Sequence, residues 1–336
     1  MSPSITVVIP TYKASAWLEE TLQSVVAQTY PSQNLDLIVV DDASPDDTVE
    51  VAKRFLHGRS IQTRILPQTK NAGVPTTRNL GWRAAAGEWI QFLDQDDLLA
   101  PHKLALQAAV AEKAEPGVAV IYSNWQHYLL ENGSWRAAGP VNAPFIDDDP
   151  VLRILQNPTF GYVGPTLIRR SFLEKTGGFE LKPNIGEDTD LMFRLAMSGG
   201  GFREARSDGP AFFYRQSPGS LWRAYFKNKV AMRNLLLTFR HVEEHLRALR
   251  RDAQLSEAAR LALAFRYSRF ADVYAETDPE GFGMLMGWLA GLGFNRPQCA
   301  SRSLRALSRV LGFENAVHTR AYYRKLRGLL LGSVRA

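Results

Sequence analysis

A single cysteine, Cys299, occurs in 336 residues. That excludes a disulfide framework and any zinc site built on cysteines, and it fits a reducing compartment. Long apolar runs are also missing. The longest uncharged stretch of note, Gly281 to Asn295, is 15 residues and glycine-rich, whereas a membrane-spanning helix wants about 20 apolar residues. The first apolar run, Ile5 to Ile9, follows Met1 without a basic stretch or a cleavage site. No secretory leader is therefore expected, and the expected location is the cytoplasm. No G-x-G-x-x-G follows that run and no Walker loop occurs, so the usual glycine cradles for a pyrophosphate are excluded. Disorder is excluded by composition, with 45% hydrophobic and 22% charged residues.

The net charge of +6 is unevenly spread. Residues 1–214 carry 19 Lys and Arg against 25 Asp and Glu, whereas residues 215–336 carry 21 against 9. An acidic body followed by a strongly basic region predicts two parts with different tasks, divided near residue 219. The first, 1–219, is expected to hold the chemistry, and 220–336 to be a basic, mostly helical extension.

Within the first part, short β-rich runs alternate with helical patterns. Ile5–Ile9, Leu35–Val40, Ile61–Leu66, Glu88–Leu93 and Val118–Tyr122 read as strands. Helical spacing occurs over Ser15–Gln28, Asp46–Leu56, Thr76–Ala86 and Pro101–Lys113. This alternation predicts an α/β fold with a mostly parallel, Rossmann-like sheet. From Glu131 to Phe160 the pattern breaks, which predicts a long functional loop. Beyond Gly219, Leu221–Arg251, Ser256–Glu276, Arg302–Leu311 and Arg320–Leu331 have helical spacing. In the last two, arginines oppose leucines and tyrosines.

Ligands of open α/β sheets bind outside the carboxyl ends of the strands. Here those ends carry Pro10-Thr11-Tyr12, Asp41-Asp42-Ala43-Ser44 and Asp94-Gln95-Asp96-Asp97, and Gly186-Glu187-Asp188-Thr189-Asp190 adds further acid. So many carboxylates at one edge repel unless they are solvated, hydrogen-bonded or neutralised. Asp94-x-Asp96 after an apolar strand suits a hard cation, Mg²⁺ or Mn²⁺, which would neutralise a diphosphate in place of a glycine loop. The blander reading, a helix cap, accounts for one of these carboxylates. The histidines show no metal-ligand spacing except His241 and His245, which lie on a charged helix face.

The string ITVVIPTYKASAWLEETLQSVVAQTYP, then LDLIVVDDASPDDT and NAGVPTTRNLGWRAAAGEWIQFLDQDDLLAP, resembles the catalytic domain of glycosyltransferase family 2, the inverting enzymes of GT-A fold. The resemblance continues through PTLIRRSFLEKTGGF, GEDTDLMFRLAMSGG and FFYRQSPGS, covering roughly residues 5–220. It implies that Pro10 and Tyr12 contact the nucleoside and that Asp42 reads the base edge. Arg78 is implied to pair with Asp42 or a phosphate, and Asp94 and Gln95 to line the nucleotide-sugar site. Asp94 and Asp96 would hold Mn²⁺ or Mg²⁺, with Asp96 the more direct ligand, and Asp188 would be the general base. Only one of Glu187 and Asp188 is expected to face the site, since helical neighbours point about 100° apart. The family's histidine before Pro-Gly-Ser is Ser217 here, and the Gln-x-x-Arg-Trp motif of its processive synthases is missing, so transfer of a single sugar is expected.

The implied donor is UDP-, GDP- or dTDP-linked, and the acceptor a glycan or lipid-linked hydroxyl in cell-surface glycan synthesis. Nucleic acid is not an expected partner, because no groove-reading motif accompanies the basic helices. Packing, a homo-oligomer contact, or peripheral docking on anionic membrane are the expected uses of their apolar and basic faces. The rival readings are a haloacid-dehalogenase-like phosphohydrolase, which leaves IPTY and VVDDAS unexplained, and an inactive sugar-binding module.

Overall fold

The computed structural model describes residues 2–131, 134–144, 146, 149–157, 161–181, 186–216, 229–249, 254–294 and 315. The chain divides into two compact units, Met1–Ser220 and Leu221–Ala336.

The first unit is built on a seven-stranded sheet. β1 (Ile5–Thr11) and β2 (Leu35–Asp41) are buried at every position, as continuous apolar runs must be when helices cover both faces. β3 (Gln62–Pro67) is half-buried at the sheet edge. With β4 (Trp89–Phe92), β6 (Val118–Ser123), β9 (Thr166–Arg169) and β10 (Gly201–Ala205), the order is β10-β6-β9-β4-β1-β2-β3. β9 alone runs antiparallel, against both β4 and β6. The parallel strands β1, β2 and β4 therefore end at one edge, where the acidic motifs leave them.

The helices α1 (Leu18–Val26), α2 (Thr48–Leu56), α3 (Val74–Ala84) and α4 (Lys103–Ala111) follow β1, β2, β3 and the short β5 (Leu98–Leu99). Asp46 caps the approach to α2 by accepting from Thr48 Oγ1 at 2.5 Å and Ser15 Oγ at 2.8 Å. Burial works against it, but these bonds hold Asp46 below its usual carboxylate range. α3 starts after Gly73, at φ 85°, with Pro75 in its first turn. It lies close on β1 because Gly81 has no side chain: a Cβ there would stand 2.3 Å from Val8 Cγ1.

The expected loop after Glu131 is largely ordered structure. β7 (Trp125–Glu131) pairs antiparallel with β8 (Ser134–Asn142), and α5 (Pro150–Gln156) follows. β8 is the edge strand of a second sheet, order β5-β11-β7-β8, in which β11 is Phe212–Arg215. Its side chains are mostly exposed, so it lacks the apolar alternation that reveals half-buried strands. α6 (Arg170–Thr176) and α7 (Glu187–Met197) complete the unit.

The second unit contains α8 (Lys229–Ala248), α9 (Glu257–Thr277) and α10 (Pro279–Gly291). Its core includes Leu236, Phe239, Leu263, Tyr267 and Leu285. Buried Glu243 accepts from Tyr267 at 2.9 Å, Arg240 at 2.9 Å and Arg247 at 3.0 Å. Among the described residues no helix is long and apolar enough to cross a membrane. The predicted helices Arg302–Leu311 and Arg320–Leu331 lie outside the described residues, as does Ser217.

Candidate active site

Arg78 is the centre of the site. It sits on α3 with its side chain only 3% exposed, and its guanidinium joins three carboxylates. Nη2 donates to Asp94 Oδ1 at 2.7 Å, and Nη1 donates to Asp188 Oδ1 at 2.7 Å and to Glu187 Oε1 at 3.1 Å. Burial alone would favour loss of its proton, but the charges of Asp188, Asp94 and Glu187 outweigh it, so Arg78 is held cationic. Arg78 does not pair with Asp42, as the resemblance had allowed.

Both Glu187 and Asp188 reach this guanidinium, contrary to the expectation that only one would face the site. They are the first two residues of α7, which begins after Gly186 at φ 85°. The arginine therefore meets the start of the helix, and the extra methylene of Glu187 spans the angular difference. The helix N-terminus favours negative charge there. Burial nevertheless dominates the titration of the pair. It raises Glu187, with Asp188 adding and Arg78 opposing, to about 7. It raises Asp188, with Arg78 opposing and Asp94 adding, to about 6. A carboxylate ionised just below neutral pH is matched to taking a proton from a hydroxyl.

The side of Arg78 away from these acids is built from the Gly-Gly-Phe corner. Asn79 Nδ2 donates to Phe179 O at 2.7 Å, while Asn79 Oδ1 accepts from Phe179 N at 2.9 Å and Trp82 Nε1 at 2.7 Å. The Phe179 ring thus lies 5.1 Å from the guanidinium carbon and 4.9 Å from Phe92, edge-on. Gly178 has φ 77°, and a Cβ there would stand 2.4 Å from Asn79 Oδ1 and 2.4 Å from Trp82 Nε1. Gly178→Ala is expected to break this corner at a cost of about 2–3 kcal/mol. Differential scanning calorimetry should show a melting temperature about 5–10 °C lower. A near-native value would mean that Asn79 and Trp82 yield without penalty.

Asp94, Gln95 and Asp96 occupy the turn after β4, closed by Asp97 N donating to Asp94 O at 3.1 Å. The Gln95 side chain brackets Tyr12, accepting from its N–H at 2.6 Å and donating to its carbonyl at 3.1 Å. Tyr12 is 39% exposed. Lys13 and Ala43, which follow β1 and β2, have left-handed φ of 54° and 58°. Such non-glycine strain gathers at functional loops. Pro10 is buried inside β1, beside Val40. Asp42 holds the neighbouring loop, accepting from Ala72 N at 2.7 Å, Gly73 N at 2.8 Å and Gln68 Nε2 at 2.9 Å. Tyr12, Gln95, Asp94, Arg78 and Asp188 therefore form one chain of contacts, while Pro10 and Asp42 support its frame.

The turn suits a divalent cation. The Asp94 side chain is 40% exposed and Asp96 is partly exposed. Buried Asp97 accepts from Arg215 N at 2.8 Å, and its pKa is raised well above the carboxylate range by burial, then by the charges of Asp96 and Asp94. Negative potential thus converges on the opening of this turn. Among the described residues no three His, Cys, Asp or Glu side chains gather to hold a metal. A two-carboxylate site completed by water and phosphate oxygens fits Mg²⁺ or Mn²⁺.

Three features escaped the sequence reading. The burial of Asp97 against Arg215 N, within the acidic turn already named, is one. Another is Arg215, whose fully buried guanidinium pairs with Glu20 at 2.5 Å and lies over Trp17, Trp135 and Tyr128 at 5.3, 4.9 and 5.9 Å. Trp17, one wall of this box, meets Trp135 edge-on at 5.7 Å. The third is buried Lys103, which donates to Gln91 Oε1 and, at 2.5 Å, to Gln107 Oε1. Burial depresses its pKa far below the usual lysine value. Only the aromatic and polar residue types hinted at these partners, because their pairing depends on topology.

A family model described as glycosyl transferase family 2 matches residues 6–177. An uncharacterised glycosyltransferase of Haemophilus influenzae is 27% identical over 191 residues, which are 57% of this chain and 61% of that protein. The Staphylococcus aureus poly(ribitol-phosphate) beta-N-acetylglucosaminyltransferase TarS is 24% identical over 189 residues, 56% of this chain and 31% of that protein. The chain thus spans less than two thirds of the length of these relatives. The crystal structure of S. aureus TarS 1–349 with UDP-GlcNAc aligns with TM-score 0.66 at 18% identity, covering 98% of this chain and 92% of the other. Mannosyltransferase PcManGT of Pyrobaculum calidifontis, in complex with GDP-Man and Mn²⁺, aligns with TM-score 0.55 at 20% identity, covering 97% and 88%. Those structures establish the GT-A fold, and the extent of the family match establishes the rest: the chain belongs to glycosyltransferase family 2.

Proposed function

We propose that the protein transfers one sugar, with inversion, from a nucleotide-sugar donor to an acceptor hydroxyl in the synthesis of a surface glycan. The observation that carries this reading is the buried Arg78, which binds the first aspartate of the Asp-x-Asp turn and the Glu187–Asp188 pair with one guanidinium. That arrangement sets a carboxylate suited to a diphosphate-bound cation beside a carboxylate suited to proton abstraction. The known ligands of the structural relatives, UDP-GlcNAc for TarS and GDP-Man for PcManGT, support a nucleotide-sugar donor here.

In this reading the ring of the exposed Tyr12 lies against the nucleoside and Asp42 shapes the adjoining wall. Asp188 takes the proton of the acceptor hydroxyl as that oxygen bonds to the anomeric carbon. The bond from that carbon to the diphosphate breaks on the opposite side, and the diphosphate departs with its electron pair. Asp94 and Asp96 would hold Mn²⁺ or Mg²⁺, which when bound supplies Lewis-acid stabilisation to the diphosphate oxygens. Arg78 keeps Asp188 in place and favours its ionised form. The dehalogenase-like alternative finds no support, since the family match over residues 6–177 covers the segments it leaves unexplained.

The test combines thermal-shift screening of UDP-, GDP- and dTDP-sugars with donor turnover in the presence of Mn²⁺. One nucleotide series should raise the melting temperature, because a ligand that binds only the native state stabilises it. Asp96→Ala or excess EDTA should reduce turnover by about 10²-fold or more, equivalent to about 3 kcal/mol of transition-state stabilisation. Full activity in EDTA would overturn the metal-dependent mechanism.

A further inference from the structure

The acceptor must place a hydroxyl against Asp188, and the structure limits where the rest of it lies. Asp188 Oδ1 is turned to Arg78, whose other nitrogen binds Asp94, so that flank belongs to the donor diphosphate. Asp188 Oδ2 accepts from Val163 N at 3.3 Å. The flank opposite the donor is therefore the segment before β9, where Tyr162 adjoins Val163.

Tyr162 belongs to an aromatic wall. Its ring is 5.3 Å from Trp125 and 5.3 Å from Tyr214. His127 completes the wall, 5.0 Å from Trp125 and 5.8 Å from Tyr214. Trp125 is 2% exposed and forms the floor, whereas Tyr162, Tyr214 and His127 are only partly buried. The three come from different places, β7, β11 and the segment before β9. Arg215, next to Tyr214, points to the opposite face of β11 as strand alternation requires, and is enclosed there by its own rings.

The wall is electrically neutral. Burial lowers the His127 pKa, so the ring is uncharged at pH 7. Gln216 Nε2 donates to His127 Nδ1 at 3.0 Å, which leaves the ring proton on Nε2 as a donor. Burial, then the charges of Asp188 and Asp97, push the Tyr162 hydroxyl up to about 12, so it stays protonated. An anionic acceptor unit would meet Asp188 and this neutral wall without a cation from it. A neutral ring with an apolar C–H face and hydroxyl edges fits both the aromatic faces and the polar tips.

We propose that Tyr162, Tyr214 and His127 form the acceptor subsite, and that it takes a neutral pyranose ring stacked on the wall beside Asp188. This assignment rests on the glycosyltransferase reading and specifies its acceptor as a cyclic sugar in place of an acyclic polyol phosphate.

The test is saturation-transfer NMR on the full chain with Mg²⁺ and UDP, GDP or dTDP. The probes are methyl β-glucopyranoside and methyl β-galactopyranoside, with ribitol 5-phosphate and glycerol 3-phosphate as acyclic comparators. A pyranoside should receive saturation mainly at C–H protons of one ring face. Tyr162→Ala and Tyr214→Ala should each weaken that binding about tenfold, the scale of one lost aromatic contact. Tyr162→Phe should retain it. A variant-free measurement runs alongside: pyranoside should slow hydrogen exchange at the amides of Tyr162 and Tyr214 in the unaltered protein. Binding of the acyclic phosphates in preference to the pyranosides overturns the proposal. So does equal pyranoside binding by the alanine variants, or unchanged exchange at both amides. If none of the three nucleotides binds, the glycosyltransferase reading itself fails; nucleotide binding without pyranoside contact removes only the acceptor assignment.

Discussion

Asp188→Asn is expected to leave donor binding within about twofold of the unaltered protein while lowering sugar transfer by about 10²-fold or more, the usual scale for loss of a general base. Asparagine has nearly the same shape, and its Oδ1 still accepts from Arg78 Nη1, the shorter of the two bonds that place Asp188; only the longer bond from Val163 N, to Oδ2, is given up. Asparagine cannot take a proton. Glu187→Gln should reduce transfer much less, because Glu187 makes the longer bond to the same guanidinium nitrogen, 3.1 Å against 2.7 Å for Asp188, and its amide keeps that bond. Nucleotide affinity from calorimetry and transfer from product formation separate the two roles. Reversal, with the Glu187→Gln variant inactive and the Asp188→Asn variant active, would move the base to Glu187.

The titration of the pair adds a second signature. Asp188 is raised to about 6 by burial, so transfer by the proposed base is expected to fall as pH drops through about 6. The effect on stability has the opposite direction. Groups with raised folded-state pKa bind protons more readily when folded than unfolded. Their contribution is fully present below the unfolded carboxylate pKa of about 4. It is lost as pH rises through about 6 for Asp188 and about 7 for Glu187. The Glu187–Asp188 pair is thus least favourable to folding at the pH where the proposed base is ionised. Asp188→Asn should accordingly flatten the fall in melting temperature between pH 5 and 7.

How much of this was legible beforehand follows the physics of each element. β1 and β2 are buried on both faces, so their composition shows as unbroken apolar runs. β8 lies exposed at an edge, and β5 has only two residues, so neither leaves a periodic trace. The Asp-x-Asp turn and the Glu-Asp pair were found as motifs, because each is local. The bonds between them were not legible. Arg78, Asp94 and Asp188 are far apart in sequence, and they meet only because α3 packs on β1 and β2 while α7 points its first turn at them. Glu187 was misplaced for a related reason: angular spacing along a helix describes a partner beside the helix, and here the partner stands at its end.

Arg78→Met is expected to have the largest effect on stability. Methionine occupies comparable volume over Phe179 but leaves Asp94, Glu187 and Asp188 without the cation that joins them. Glu187 and Asp188 have side chains only 15% and 19% exposed, so water replaces the guanidinium poorly. Breaking such a network by removing one partner costs about 3–5 kcal/mol, and the melting temperature should fall by about 10 °C. The loss should depend on pH in a defined direction. Arg78 lowers the pKa of both Glu187 and Asp188, so without it both take up protons at higher pH. The variant should therefore be closest to the unaltered protein near pH 5 and fall farthest behind near pH 8. Arg78→Lys, which keeps the charge but cannot serve three carboxylates at once, should lie between. Adding Glu187→Gln and Asp188→Asn to Arg78→Met should restore most of the lost stability, because neutral amides do not need the cation. A deficit that is constant with pH and unrelieved in the triple variant would assign the effect to lost packing on Phe179, and the carboxylate network would then have no part in holding the site together.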